Sequence, residues 1–221
     1  MDFIFMLTRH DATVPDCLDV MDAIAGLGLA HIGFKDIGAD AEMLRALNRR
    51  IKAAGATSYL EVVATTDEAA LRSARMAVAI GVDRLLGGKL VAQTLAILAG
   101  TGIAYFPFPG RPVGHPTALG GGATDVEGDC RDYAALGCAG VDLLAYRATE
   151  AEPLDLVRAA RRGLGADKTL ICAGGVDSPA RIAALREAGC DAFTVGSAAF
   201  ALAFSGAPDL PGQLRDILAC V

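Results

Sequence analysis

The sequence predicts an α/β fold in which residues 1–221 form a single (β/α)8 barrel. The main observation is a repeated pattern of a helical segment, a glycine and, within a few residues, a short apolar strand. Glycine directly after a helix is a common stop signal, because it adopts the left-handed backbone conformation without a Cβ clash. The strands are apolar on both faces, as in parallel sheets covered by helices. Eight such units in this length favour a closed barrel, with an open doubly wound sheet as the alternative.

The predicted strands are short and recur along the whole chain. The first opens the chain and each of the others follows a helix and its glycine; they are residues 3–7, 31–34, 58–63, 82–86, 103–106, 141–146, 168–173 and 191–195. The intervening segments have hydrophobic residues at helical spacing, which predicts helices at 41–54, 67–80 and 179–188 among others.

Two stretches depart from the regular alternation. The connection 107–122 is long and rich in glycine and proline. Such a loop inside a compact domain is more often a functional lid than a linker, so we expect it to cover the barrel mouth. Near the C-terminal end, the pattern predicts a short extra helix at 197–204, a break at 205–208 and a closing helix at 210–219. We expect the short helix to contribute to phosphate binding.

The composition indicates a cytoplasmic protein with one sizeable hydrophobic core. The chain is 53% hydrophobic, yet no apolar run reaches the ~18 residues that span a bilayer without charge or glycine. The net charge of −6, without long like-charge blocks, argues against binding to nucleic acid or to an anionic membrane. Six cysteines without a CxxC pair or zinc-finger spacing, and no recognisable secretory leader, predict reduced thiols. A homo-oligomer is compatible with the sequence, but no specific feature predicts it.

Two glycine motifs lie at the ends of the seventh and eighth predicted strands. Gly174-Gly175 follows the seventh strand, and Gly196-Ser197 follows the eighth. Glycine lets the backbone approach a bound group closely, and the first N–H groups of a following helix are unpaired donors that favour an anion. Together, Gly174, Gly175, Gly196 and Ser197 predict a phosphate-binding site.

These motifs, with a short helix after the second, resemble the phosphate site of the ribulose-phosphate-binding TIM barrels. That superfamily includes indole-3-glycerol phosphate synthase, two enzymes of histidine biosynthesis and several phosphosugar epimerases. The resemblance implies a small phosphorylated substrate but no single reaction. The decarboxylase branch has an Asp-x-Lys-x-x-Asp motif where this chain has Glu61-Val62-Val63-Ala64, and the ribulose-phosphate epimerase branch needs metal-binding histidines on several strands, whereas this chain has three histidines in all. Both branches are disfavoured, and we predict no metal and no cofactor.

Lys35 and Glu61 are the predicted catalytic residues. Functional groups of a barrel lie at the C-terminal ends of its strands and face inward, and strand alternation places Lys35 and Glu61 there. Neighbouring strands are about 4.8 Å apart, so the two side chains can form an ion pair or an acid–base couple. We expect burial to lower the pKa of Lys35 enough for it to act as a base or to form a Schiff base. The alternatives are a lysine that only binds an anion and a structural salt bridge.

Four further residues are predicted to bind the substrate. With Leu7 facing inward, Arg9 is expected to follow on the same face and to bind an anion through two hydrogen bonds. Tyr146 and Arg147 end the sixth strand, and alternation does not decide which of them faces the mouth. His115, in the long connection, is a candidate lid residue, with an ordinary exposed loop residue as the alternative.

Other polar residues are assigned structural roles. Asp11 is expected to cap the first helix. Asp83, Asp142 and Asp191 recur at the starts of strands, at the end of the barrel opposite the active site, and are excluded from catalysis. Cys172 is expected to be a buried core residue rather than a nucleophile.

The sequence therefore predicts an enzyme that acts on a small phosphorylated sugar or sugar acid. Proton transfer next to a carbonyl group by Lys35 and Glu61 would make it an isomerase or epimerase, a reaction that requires no cofactor. A lyase or aldolase that forms a Schiff base on Lys35 is the second hypothesis. The third is a barrel that binds a phosphorylated ligand without catalysis.

Overall fold

Eight parallel strands form a barrel in the computed structural model, which describes residues 1–64, 66–204 and 206–221. The strands are β1 (Asp2–Met6), β2 (His31–Lys35), β3 (Thr57–Glu61), β4 (Arg84–Leu86), β5 (Ala104–Phe106), β6 (Gly140–Leu143), β7 (Thr169–Cys172) and β8 (Ala192–Val195). β1 lies between β8 and β2, and the other strands follow in chain order. Backbone hydrogen bonds of 3.0 Å, from Ala139 to Tyr105 and from Asp142 to Pro107, close the ring between β5 and β6. The predicted fold is confirmed.

Helices follow the strands and cover the outside of the barrel. They are α1 (Cys17–Ile24), α2 (Ala41–Ala53), α3 (Asp67–Ile80), α4 (Val91–Leu98), α5 (Ala123–Ala135), α6 (Pro153–Leu164), α7 (Pro179–Glu187), α8 (Ser197–Phe200) and α9 (Leu210–Leu218), with 3-10 turns at Ala25–Leu27 and Ala145–Arg147. α8 is the predicted extra helix, but it ends at Phe200 because Leu202 has a left-handed backbone with φ 57°. The predicted break begins at Ser205, which lies outside the described residues. Within the described ranges, each helix is too short or too polar to span a bilayer.

Strand alternation divides the buried side chains into two layers. The inner layer fills the barrel and consists of Ile4, Met6, Tyr59, Leu86, Phe106, Ile171 and Ala192. The outer layer, which is larger, lies between the strands and the helices. Leu7 belongs to the outer layer, whereas Met6 faces inward, so the expected inward orientation of Leu7 is wrong. A uniformly apolar strand such as β1 contains no sequence signal for which of its faces points inward.

A short hairpin follows β1 at the C-terminal end of the barrel. It pairs Thr8–Arg9 with Ala12–Thr13, and we call it the first hairpin. Its two turn residues, His10 (φ 51°) and Asp11 (φ 64°), are both left-handed, as a type I′ turn requires.

A second hairpin occupies the long connection that the sequence predicts to be a lid. It pairs Arg111–Val113 with Ala118–Gly120. Near its tip, the N–H of Thr117 lies 3.4 Å from a carboxylate oxygen of Asp11 in the first hairpin. The second hairpin therefore lies over the barrel mouth.

Asp83 and Asp191 lie at the opposite end of the barrel, as predicted. The Asp83 carboxylate accepts hydrogen bonds of 2.9 Å from both the N–H and the hydroxyl of Ser58. The Asp191 carboxylate accepts a hydrogen bond of 2.7 Å from the N–H of Leu170 and pairs with Arg161. Each aspartate thus connects two neighbouring strands. All six cysteines are free thiols.

Candidate active site

A cavity of about 230 Å³ opens at the C-terminal end of the barrel, where barrel enzymes bind their substrates. It contains both parts of the site that the sequence predicts. The predicted residues in its wall are Lys35, Glu61, Arg147, Gly174, Gly175, Gly196 and Ser197. Asp11, Thr8 and Thr194 are further polar residues of the wall. The structure therefore brings Lys35, Glu61 and the glycine motifs together in one cavity.

Lys35 lies between two buried carboxylates. Its Nζ is 3.0 Å from Glu61 Oε1 and donates a hydrogen bond to Asp11 Oδ1. The parallel register places Lys35 and Glu61 directly opposite each other on β2 and β3. Thr13 fixes the backbone of Lys35, because its hydroxyl donates to the Lys35 carbonyl and accepts from the Lys35 N–H, both at 2.8 Å. The expected ion pair is present, and Asp11 is an additional partner.

The protonation of Lys35 differs from the expectation. Burial by itself lowers the pKa of a lysine, but the charges of Glu61 and Asp11 outweigh it, and the pKa of Lys35 is raised above its usual value. Lys35 is therefore an ammonium ion at neutral pH, and the expected lowering of its pKa is wrong. An ammonium ion is no nucleophile for Schiff-base formation, but it can donate hydrogen bonds to a substrate oxygen and stabilise negative charge there.

Asp11 reaches Lys35 from the turn of the first hairpin, and its side chain is only 3% exposed. The expected role as the cap of α1 is wrong, because Asp16 is the residue that precedes this helix. Burial alone would raise the pKa of Asp11, but the hydrogen bonds from Arg147 and the charge of Lys35 lower it well below its usual value. Asp11 is therefore ionised at neutral pH.

Arg147 binds the other side of Asp11 and connects it to the second hairpin. Its two terminal nitrogens lie 3.1 and 3.3 Å from the two carboxylate oxygens of Asp11. The same guanidinium donates to the carbonyl of Thr117 at 3.2 Å. His115 Nδ1 lies 3.6 Å from Asp11, and the His115 side chain is 39% exposed. Asp11 and Arg147 thus attach the second hairpin to the rim of the cavity.

Three of the four predicted substrate-binding residues, Arg9, Tyr146 and His115, lie outside the cavity wall. Arg147, and not Tyr146, faces the cavity, because β6 has already ended and a 3-10 turn interrupts the strand alternation. The ring of Tyr146 instead packs under the guanidinium of Arg181, 4.6 Å from the ring centre. The guanidinium of Arg9 lies 4.9 Å from the centre of the Phe200 ring. The expected inward orientation of Arg9 is wrong, because the first hairpin changes the direction of the chain directly after β1.

The glycine motifs form another part of the cavity wall. Gly174 (φ 72°) and Gly175 (φ 73°) have left-handed backbones that other residues rarely adopt. A Cβ on Gly174 would overlap the side chain of Arg147, so glycine also lets Arg147 lie against this wall.

Backbone donors of the same wall have no partner. The N–H groups of Gly175, Val176 and Ser197 find no acceptor in the described part of the chain, and all three residues line the cavity. Gly175 and Ser197 are exposed at the cavity and Val176 is buried, so a ligand that enters the cavity can accept from the exposed donors in place of water. A phosphate oxygen is an acceptor of the required type.

Replacing Gly174 with alanine is expected to destabilise the protein and to displace Arg147. The left-handed backbone and the overlap with Arg147 together should lower the free energy of unfolding by about 1–3 kcal/mol. Gly81→Ala is the matched control, because Gly81 has a left-handed backbone with nearly the same φ (75°) but open space around the added Cβ. Urea unfolding of both variants measures the difference. Equal losses would show that the contact with Arg147 has no effect.

Asp142 lies elsewhere than the sequence predicts. Instead of lying at the start of its strand, it is inside β6 and is paired in register with Ile171 of the inner layer. Val141 and Leu143 belong to the outer layer, so Asp142 faces into the barrel. Burial, together with the charge of Glu61, raises the pKa of Asp142 well above its usual value. The expected position at the bottom of the barrel is therefore wrong.

No protein-family model matches the sequence, and no characterised protein is similar to it in sequence. Solved structures are similar in fold. The native KDPGal structure matches over 100% of this chain and 96% of its own, at 14% identity and a TM-score of 0.67. Orotidine 5′-phosphate decarboxylase from Pyrococcus horikoshii OT3 matches over 99% and 98%, at 11% identity and a TM-score of 0.65.

A third similar structure is a cube-shaped, highly porous cage designed by fusing symmetric oligomeric domains. It matches over 100% of this chain and 72% of its own, at 14% identity and a TM-score of 0.70. At these identities the similarity concerns the fold. The chain therefore has the TIM-barrel fold.

Proposed function

We propose that the protein is an enzyme that binds a small phosphorylated sugar or sugar acid and isomerises or epimerises it by proton transfer next to a carbonyl group. The shared cavity supports this most directly, because the glycine motifs and the Lys35–Glu61 pair line the same space of about 230 Å³. A small substrate can place its phosphate at one wall and its carbonyl end at the other. Orotidine 5′-phosphate decarboxylase, which has a similar fold, is also named for a phosphorylated substrate. A cytoplasmic location and a homo-oligomeric state stay predictions from the sequence.

Glu61 is the proposed base. Its carboxylate lines the cavity and lies 3.0 Å from the ammonium group of Lys35. Asp11 is a poorer proton acceptor, because its pKa is well below the usual value and both of its oxygens bind Arg147. Glu61 would take the proton from the carbon next to the carbonyl. Isomerisation follows when Glu61 returns this proton to the neighbouring carbon and a hydroxyl proton of the enediol moves to the former carbonyl oxygen. Epimerisation follows when water delivers a proton to the opposite face of the enolate.

Lys35 is proposed to stabilise the intermediate. Removal of that proton leaves negative charge on the carbonyl oxygen, and a fixed ammonium group next to this oxygen lowers the energy of the enolate. The raised pKa of Lys35 favours this role over that of a Schiff-base nucleophile. Arg147, which lies against Gly174, adds positive charge between the two walls of the cavity.

Hydrogen exchange with the solvent tests the proposal. The purified protein is incubated in D2O with a panel of phosphorylated aldoses, ketoses and sugar acids, and deuterium next to the carbonyl is followed by NMR and mass spectrometry. We expect exchange for at least one compound and its loss in Glu61→Gln. Glu68→Gln is the matched control, because Glu68 is an exposed residue of α3 that pairs with Arg72. A ligand retained during purification and identified by mass would guide the choice of panel.

Two other outcomes would replace the proposed reaction. A borohydride-trapped adduct on Lys35 would indicate a lyase that uses a Schiff base. Binding of a phosphosugar without exchange or turnover would indicate a barrel that binds a ligand without catalysis.

A further inference from the structure

The hydroxyl group of Thr8 is a polar group of the cavity wall without a protein partner. Thr8 is 5% exposed and lines the cavity together with Gly196 and Ser197. Its hydroxyl oxygen makes no hydrogen bond within residues 1–64, 66–204 and 206–221. In contrast to the carboxyl oxygens of Asp142, it is not fully enclosed by the protein, so a ligand in the cavity can reach it. A buried polar group that is left unpaired in this way is rare unless water or a ligand is its partner.

Strand alternation agrees with the orientation of Thr8. Met6 faces inward and Leu7 outward, and Thr8 again lies on the side of the cavity. The next residue, Arg9, lies away from the cavity against the ring of Phe200. Thr8 therefore takes the place at the mouth that the sequence predicts for Arg9, and it offers a neutral hydroxyl instead of a guanidinium.

Thr8 lies directly against one of the two glycine motifs. A Cβ on Gly196 would overlap the Thr8 hydroxyl oxygen and would lie 3.0 Å from the Thr8 carbonyl oxygen. A larger residue at position 196 would therefore displace this hydroxyl. The N–H of the following residue, Ser197, has no acceptor in the described part of the chain. The Thr8 hydroxyl and this N–H are thus two donors next to the same glycine, in the part of the wall that is predicted to bind phosphate.

The cations of the cavity, in contrast, already have partners. Lys35 contacts both Glu61 and Asp11, and Arg147 pairs with Asp11. A phosphate group that used these cations alone would compete with two carboxylates. An unpaired neutral donor gains a complete hydrogen bond to the phosphate, and hydrogen bonds to a charged group are stronger than those between neutral groups.

We infer that Thr8 is a substrate-binding residue and that its hydroxyl donates a hydrogen bond to the phosphate group. A hydroxyl rotates to donate, and the oxygens of a phosphate dianion are acceptors. The ligand is then a phosphate monoester whose phosphate lies next to Thr8 and the Gly196-Ser197 motif. This role rests on the proposed function, which supplies the phosphorylated substrate.

Titration of the purified full chain with inorganic phosphate, followed by phosphorus NMR, tests the inference. In Thr8→Val a methyl group of similar size replaces the hydroxyl, so we expect the affinity for phosphate to fall about 10-fold. Thr8→Ser keeps the hydroxyl and should bind phosphate almost as the wild type does. Thr169→Val is the matched control, because Thr169 is a half-buried strand residue at the opposite end of the barrel.

Urea unfolding of the same variants separates binding from structure. The Thr8 hydroxyl has no partner among the described residues, so Thr8→Val should be at least as stable as the wild type while it loses affinity for phosphate. If valine prevents folding of the first hairpin, Thr8→Ser and Thr8→Ala provide a second pair that differs in the hydroxyl alone. The serine variant is then expected to bind phosphate about 10-fold more tightly than the alanine variant.

Equal phosphate affinity in the wild type and Thr8→Val, or no saturable binding of phosphate to the wild type, would overturn the inference. The titration needs no turnover, so phosphate binding that depends on Thr8, without any exchange in D2O, would contradict the proposed reaction alone. Where exchange occurs, Thr8→Val should raise KM about 10-fold and leave kcat nearly unchanged, because the phosphate is bound equally in the ground state and the transition state. A lower kcat at unchanged KM would contradict a role of Thr8 in phosphate binding.

Discussion

Replacing Lys35 with methionine is expected to lower kcat/KM for the phosphorylated substrate by about 10³-fold, because the group that stabilises the developing negative charge is removed. Methionine is long, flexible and apolar, so it occupies much of the same space without the charge. The variant should also lose about 3–5 kcal/mol of unfolding free energy at neutral pH. The reason is that the buried carboxylates of Asp11 and Glu61 would then share one cation fewer.

Lys52→Met is the matched control for this substitution. Lys52 pairs with Asp83 at 2.9 Å at the opposite end of the barrel, and both side chains are well exposed. Exposed ion pairs contribute about 0–1 kcal/mol, so stability and turnover should stay near the wild-type values. Steady-state kinetics and urea unfolding of both variants give the comparison. Normal turnover in Lys35→Met would remove Lys35 from the mechanism, and equal losses in both variants would show that the effect is not specific to the cavity.

Asp11→Asn is expected to have the second large effect, on stability and its dependence on pH. Asparagine has nearly the same size and tolerates the left-handed backbone of the turn, so the substitution removes mainly the charge. Lys35 and Arg147 then lose the carboxylate that lies between them. We expect a loss of about 3–5 kcal/mol in the free energy of unfolding at neutral pH.

The loss in Asp11→Asn should shrink in acid. The folded protein lowers the pKa of Asp11 below the value of about 3.9 in an unfolded chain, so its stabilisation is complete above that pH and is lost as the pH falls through the lower, folded value. The difference between wild type and variant should therefore be constant above about pH 5 and decrease below about pH 4. Asp155→Asn, which removes an exposed carboxylate paired with Arg158, is the control. Unfolding curves with the same difference at neutral pH and in acid would contradict a role of the Asp11 charge.

Regular strands made the positions of Lys35 and Glu61 predictable. β2 and β3 are paired without interruption, so their side chains alternate regularly between the two faces of the sheet. Because the apolar residues next to Lys35 and Glu61 face the helices, these two side chains face into the barrel. The glycine motifs were predictable for a different reason. Gly174 and Gly175 have left-handed backbones, which few other residues tolerate, so their identity reflects a local requirement of the backbone.

The alternation of inward and outward side chains no longer predicts orientation where the chain leaves a strand. Arg147 lies in a 3-10 turn, which has no period of two, so nothing in the pattern separates it from Tyr146. Asp11 lies in a type I′ turn that contains no glycine, and an aspartate shortly before a helix is more often its cap. The interactions of Asp11 with residues from distant parts of the chain leave no local signal in the sequence.

The position of Asp142 could not be predicted because it depends on the register of its strand. Near the starts of three strands, the pattern Gly-x-Asp occurs at residues 81–83, 140–142 and 189–191. β4 and β8 begin after their aspartates, whereas β6 begins at Gly140, which moves Asp142 from the end of the barrel into its interior. A Cβ on Gly140 would overlap the backbone of Thr169, so this early start requires glycine. The shift depends on the register between β6 and β7. The residue pattern of a single strand contains no information about that register.

The contact between Asp11 and Arg147 has a consequence for folding. The two residues are 136 positions apart, and contacts at such separation form late because a long loop must be closed first. A barrel in which β8 has not yet paired with β1 can pair Lys35 with Asp11 and Glu61, but it lacks the second positive charge from Arg147. Pairing of β8 with β1 closes the ring and therefore supplies the missing cation. During refolding, the return of activity would report closure of the ring rather than formation of the individual βα units.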